Sequence, residues 1–142
     1  MTERCAKWEP VRDVAWPCAG ISFERIGRAL DVVMRFSLTK GAPPLDLKLQ
    51  FAHPVALRWI DESFAYASIP GSDALPTLDS APFGRRWTFP LLRVIESSWL
   101  PTLGHAVDVA HPEHFVLVTM NDVLHIAAKP DVTAGWAPSH DV

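Results

Sequence analysis

The chain is predicted to be a β-rich α+β domain, mostly antiparallel sheet forming a sandwich or partly open barrel with one or two short helices. Three observations predict it. Residues 114–129, HFVLVTMNDVLHIAAK, hold two apolar runs, 115–119 and 123–128, around a Met120-Asn121-Asp122 turn, which is the pattern of a β-hairpin. Residues 29–37, ALDVVMRFS, alternate with a period of two, as a half-buried strand does. Thirteen prolines are spread over 142 residues, nearly twice average usage, and cut the chain into pieces too short for long helices. A chain of this length fits a single domain, residues 1–142, and can bury roughly two thirds of its unfolded surface without staples.

Taken in order, residues 21–26 read as a strand and Gly27-Arg28 as a turn. Residues 29–37 place Leu30, Val32, Met34 and Phe36 on one face, with Asp31, Val33, Arg35 and Ser37 opposite. The segment Lys40-Gly41-Ala42-Pro43-Pro44 is a loop. Residues 46–51 alternate again, with Leu47, Leu49 and Phe51 inward, and His53-Pro54 interrupts. Residues 55–60 put Val55, Leu57 and Trp59 on one side, and Asp61-Glu62-Ser63 ends the strand. Residues 67–84, rich in Gly, Pro, Ser and Asp, read as a long surface loop. Residues 87–95 resume an extended pattern, which Pro90 demotes to an edge or bulged strand. Residues 96–103 fit one short helical turn, stopped by Pro101 and Gly104. Residues 104–113 are a loop before the closing hairpin, and the tail carries Trp136. The total is six or seven strands, with no strand–helix–strand alternation of the kind a parallel nucleotide-binding sheet needs.

Composition narrows the function. Cys5 and Cys18 make neither a disulfide scaffold nor a zinc pattern, so two reduced thiols are expected. The start, MTERCAKWEP, has no apolar core of signal-peptide length, and no window approaches the roughly twenty apolar residues of a membrane helix. The expectation is a cytoplasmic protein without a membrane partner. Net charge is −3 but uneven: residues 1–60 carry nine Lys/Arg against six Asp/Glu, and residues 61–142 carry four against ten. An acidic C-terminal part disfavours nucleic acid, which needs clustered Lys/Arg, and suits a cationic protein partner.

Local chemistry is sparse. Five of six histidines follow residue 104: His105, His111, His114, His125 and His140. His111-Pro112-Glu113-His114, near Asp108, has ligand types suited to zinc or iron, but on a proline-containing loop rather than a rigid element, so no metal is expected. Alternation places Val123, His125 and Ala127 on one face, with His125 read as a partly exposed sheet-face residue. No G-x-S-x-G elbow supports a serine hydrolase, and Cys18 in WPCAG is a poor nucleophile candidate without a demonstrable histidine. Asp61-Glu62, being adjacent, would diverge on a strand rather than converge across a substrate. No glycine-rich phosphate cradle exists, and Arg85-Arg86 before Trp87 is a lone basic pair. Of six tryptophans, Trp59, Trp87 and Trp99 are expected in the core. Trp8, Trp16 and Trp136, near the ends, either fold back onto it or serve a binding surface. No cofactor is expected.

PVALRWIDES, WTFPLLRVIESSWL and HFVLVTMNDVLHIAAKP together resemble a loose group of small, largely uncharacterised bacterial proteins, some of them immunity or accessory proteins encoded near secreted toxins. The shared features are a strand ending in an acidic pair, an Ile/Val-x-Ser-x-Trp-Leu turn and a terminal hairpin with a polar turn. The resemblance covers about residues 46–130 and carries no catalytic motif. It implies a β-rich fold and a binding role, and it transfers no functional residue.

Two functions are therefore expected in competition. The first is a non-enzymatic binding protein that presents Asp108, Glu113 and Asp122 to a cationic partner. The second is a small-ligand-binding barrel, or an enzyme, with a mouth lined by Trp99, His105, His111 and His114. A homodimer through a Pro90 edge strand is a third arrangement.

Overall fold

The computed structural model describes residues 2–36, 44–61, 66–78, 87–104 and 111–139. Within them the period-two segments become strands β1 (Arg4–Lys7), β2 (Gly20–Ile26), β3 (Ala29–Phe36), β4 (Leu45–Phe51), β5 (Pro54–Ile60), β6 (Leu91–Ile95), β7 (Glu113–Val118), β8 (Val123–Ala128) and β9 (Val132–Pro138). They form a five-stranded sheet of order β1-β6-β7-β8-β5 and a four-stranded sheet of order β2-β3-β4-β9, with every strand pair antiparallel. This is a sandwich rather than a closed barrel. The short helices are 3₁₀ turns at Tyr66–Ser68 and Leu100–Leu103.

Alternation positions the core. Leu30, Val32, Met34 and Phe36 of β3 and Leu47, Leu49 and Phe51 of β4 are buried on the inner face of the smaller sheet. They meet the inner face of β7 and β8, where Phe115 pairs with Ile126 and Leu117 with Leu124. An aromatic cluster holds the sheets together: the Trp8 ring lies 4.6 Å from Phe115 and 5.9 Å from Phe51, and Phe51 lies 5.5 Å from Phe115. Trp136 packs edge-on against Phe36 and donates its indole N–H to the Arg12 carbonyl. Trp8, Trp16 and Trp136 thus fold back onto the core.

The sheets share one bent ribbon. Strands β4 and β5 are separated only by Ala52 and His53, and β8 and β9 only by residues 129–131. The two bends bond to each other, Ala52 N–H to the Asp131 carbonyl and Lys129 N–H to the His53 carbonyl, each at 3.1 Å. The β4–β5 limb therefore stays paired with β8–β9 while both pass from one sheet to the other, as corners of orthogonal sandwiches do. At the tip of β7–β8, Thr119 N–H donates to the Asp122 carbonyl, and the Thr119 hydroxyl donates to the Asp122 carboxylate while accepting the amides of Asn121 and Asp122. That local bonding explains why Met120-Asn121-Asp122 turns.

Four expectations need correction. β6 is interior, not an edge, because Pro90 falls just before it and β1, short and unpatterned, pairs along its other side. The homodimer through a Pro90 edge loses its edge for the same reason. The tail is a full strand, β9, paired to β4 from Phe51↔Val132 to Leu45↔Pro138. Trp59 is not core: it shares the inward face with Leu57, but β5 is outermost and the smaller sheet does not reach it, leaving the two 51% and 42% exposed. The Lys40–Pro43 and Glu62-Ser63 assignments lie outside the described residues.

Truncating Phe115→Ala removes the ring on which Trp8 and Phe51 both rest. It should cost about 3–5 kcal/mol in urea unfolding, whereas Ile26→Ala on exposed β2 should stay within about 0.5 kcal/mol.

Candidate functional site

β7 and β8 are buried on both faces, so their outward-pointing residues lie under a second layer rather than in water. On that outer face stand His114, Val116 and Val118 of β7 with Val123, His125 and Ala127 of β8; His125 faces Val116 across the ribbon, so His114 is its diagonal neighbour. Two segments supply the cover. Glu96, at a left-handed φ of 58°, turns the chain out of β6 and lays Ser97 and Trp99 over the histidines. The 3₁₀ turn at Tyr66–Ser68 is anchored by the Tyr66 hydroxyl on the Thr119 carbonyl, by buried Ile69, and by the Cys5 thiol donating to the Pro70 carbonyl at 3.2 Å.

Burying two imidazoles requires that they be satisfied. His114 and His125 are 1% and 0% exposed. Their rings complete one hydrogen-bonded chain: Ser97 Oγ to His114 Nδ1 at 2.7 Å, His114 Nε2 to His125 Nδ1 at 2.9 Å, and His125 Nε2 to Ser68 Oγ at 2.9 Å. Ser97 Oγ also accepts the Leu100 amide at 3.3 Å, which starts the second 3₁₀ turn. With one N–H on each neutral ring, the chain is satisfied with its protons ordered in either direction. Trp99 meets both rings edge-on, with centroids at 4.9 and 6.1 Å.

Electrostatics keep the pair neutral. Burial and then the Arg58 charge push His114 down to about 4; burial, then His114, then Arg58 push His125 down to about 3. Arg58 projects from β5 opposite His125, with its guanidinium 5.3 Å from the Trp99 ring centroid. Beside this arrangement opens a cavity of about 510 Å³ lined by Glu3, Arg58, Ser68, Ser98, Trp99 and His114, among others. Glu3 is engaged there, its carboxylate accepting the amide and hydroxyl of Ser98.

Of the residues nominated from sequence for a pocket, Trp99 and His114 come together. His111 is exposed, at φ 48°, and does not line the cavity, and His105 lies outside the described residues. Of the acidic contact residues, Asp108 also lies outside them, as do Arg85-Arg86 and Glu62. Glu113 and Asp122 stand at opposite ends of β7, at its first residue and in the turn beyond its last. Glu113 lies 3.8 Å from Arg93, and Asp122 accepts the Trp59 indole N–H at 2.9 Å. Both thiols are free. Cys18 is 1% exposed and its thiol is pushed up to about 12 by burial, which leaves no nucleophilic thiolate.

His125 is buried rather than partly exposed, and Arg58, Ser68 and Ser97 were not nominated at all. One signal was present: 115–118 and 123–128 are apolar on both faces apart from His125, so both faces are covered and the histidine needs a buried partner.

Folded-state values below the ordinary 6.5 mean that the unfolded chain binds protons the folded one refuses. The stability from this pair is therefore full above pH 6.5 and lost as pH falls toward 4 and 3. Urea unfolding between pH 6.5 and 5 should show a loss on the order of 1 kcal/mol per pH unit for each histidine, a slope that His114→Gln/His125→Gln should lack. Comparison with protein-family models, with curated proteins and with solved structures finds no match to this chain.

Proposed function

We propose that the protein binds a small polar ligand through a carboxylate or phosphate group in the cavity between Arg58, Trp99 and Ser68. The observation that carries this reading is the placement of Arg58. Its guanidinium lines the cavity over an aromatic face, and among the described residues no carboxylate pairs with it. Ser68, Ser98 and Trp99 line the same space, with the Ser98 hydroxyl held by Glu3 and the Ser68 hydroxyl by His125. The Arg58 guanidinium, over an indole ring in a largely polar lining, is the group an oxyanion needs.

The acidic-face reading has less support in this arrangement. Glu113 and Asp122 do not converge, and each already serves a contact within the fold. The immunity-like resemblance supports a binding role in general and does not choose between a small ligand and a protein.

Thermal unfolding with inorganic phosphate, acetate or citrate tests the proposal. A ligand held at about ten times its Kd adds about 1.4 kcal/mol, so the Tm of a chain this size should rise by about 5 °C. Arg58→Ala should abolish the rise. No rise with any of the three anions, or an equal rise in Arg58→Ala, would overturn the anion site.

A further inference from the structure

We propose that Ser68 is a nucleophile that cleaves small esters in this cavity, with His125 as its general base and His114 as the positioning residue. The inference rests on the cavity being a ligand site, and goes beyond it to a reaction. Nucleophilic catalysis by serine needs a hydroxyl bonded to a base and a third group that fixes the base, wherever these fall in sequence. Here the Ser68 hydroxyl meets Nε2 of His125 at 2.9 Å, and Nδ1 of the same ring meets Nε2 of His114 at 2.9 Å. The base thus uses one ring nitrogen for the nucleophile and the other for its orienting group. In the productive proton order, Ser68 donates to His125, His125 Nδ1–H donates to His114, and His114 Nδ1–H donates to Ser97. Ser97 is itself held by the Leu100 amide.

Placement separates the two ends of the chain. Ser68 lines the cavity and is partly exposed, whereas His125 is fully buried behind it. Ser97 does not line the cavity and anchors the far end. Arg58, on the cavity wall, supplies positive charge for the oxyanion of a tetrahedral intermediate.

The chemistry balances with water as the only co-reactant. Ser68 Oγ forms a bond to the ester carbonyl carbon while its proton passes to His125 Nε2. Collapse of the intermediate breaks the bond to the alkoxy oxygen, which takes that proton and leaves as the alcohol. Water then attacks the acyl-serine, giving a proton to His125. The bond to Ser68 breaks, the proton returns to Oγ, and a carboxylic acid leaves. His114 carries no negative charge to stabilise a charged His125, and Arg58 opposes it, so turnover is slow and covalent capture is the sharper readout.

The test is reaction of the full chain with an alkyl fluorophosphonate, which phosphonylates an activated serine with loss of fluoride, followed by intact and peptide mass spectrometry. One adduct per chain, mapped to Ser68, is expected. Ser68→Ala should give none, and His125→Gln should label roughly 100-fold more slowly. His114→Gln, whose amide oxygen can still accept from His125, should label faster than His114→Leu at matched folded fraction. A purely structural role would leave those two rates equal. An unlabelled wild-type chain, or an adduct elsewhere that survives Ser68→Ala, overturns the proposal without depending on any variant folding. Citrate or phosphate stabilisation of the wild-type chain, measured in parallel, separates the two readings. Stabilisation without a wild-type adduct removes the nucleophile and keeps the anion site. An adduct at Ser68 without stabilisation keeps the nucleophile and removes the anion site.

Discussion

The β7–β8 ribbon is buried on both faces, and most of the structure answers to that constraint. One face must be closed by the smaller sheet, through Phe115, Leu117, Leu124 and Ile126. The other must be closed by segments that are not sheet at all, which is why 66–78 and 96–104 lie across it. Had either cover been missing, apolar side chains on the centre of a five-stranded sheet would face water at a cost of about 25 cal/mol per Å². The same burial excludes water from His114 and His125, which among the described residues bond to each other and to two serines. A buried polar chain of this kind is stable because it is complete; removing one member strands the next.

The bent ribbon sets where the site sits. Because β4–β5 and β8–β9 cross between the sheets side by side, β5 becomes the outer strand of the larger sheet and presents Arg58 on the outward face opposite His125. The inward residues of the same strand, Leu57 and Trp59, overrun the smaller sheet and stand in solvent. One strand thus carries a cation to the cavity wall and an apolar pair to the edge. The indole of Trp59 is tied to the hairpin turn through Asp122.

Local pattern identified most of the strands. Alternation in 29–37 and 46–51 gave both strand and inward face, and the 115–128 hairpin emerged with its turn. β1 and β9 carry weak local signals: RCAK is four residues long, and VTAGWAP, though Val132, Ala134 and Trp136 alternate inward, holds a glycine and ends on a proline. Pairing with β6 and β4 holds them extended. The misplacement of Trp59 has a related cause, since alternation tells which residues share a face but not whether another layer covers it.

The sequence by itself determined the β-rich class, the inward faces of β3 and β4, the hairpin of β7 and β8, and the shared face of Val123, His125 and Ala127. Only the tertiary structure decided the site. Ser68 meets His125 across 57 positions and Ser97 meets His114 across 17, contacts made by loops whose course depends on what the sheet beneath them must bury. Hydrogen bonding between side chains leaves no trace in periodicity, because serine and histidine are ordinary loop and strand residues until burial removes water as their partner.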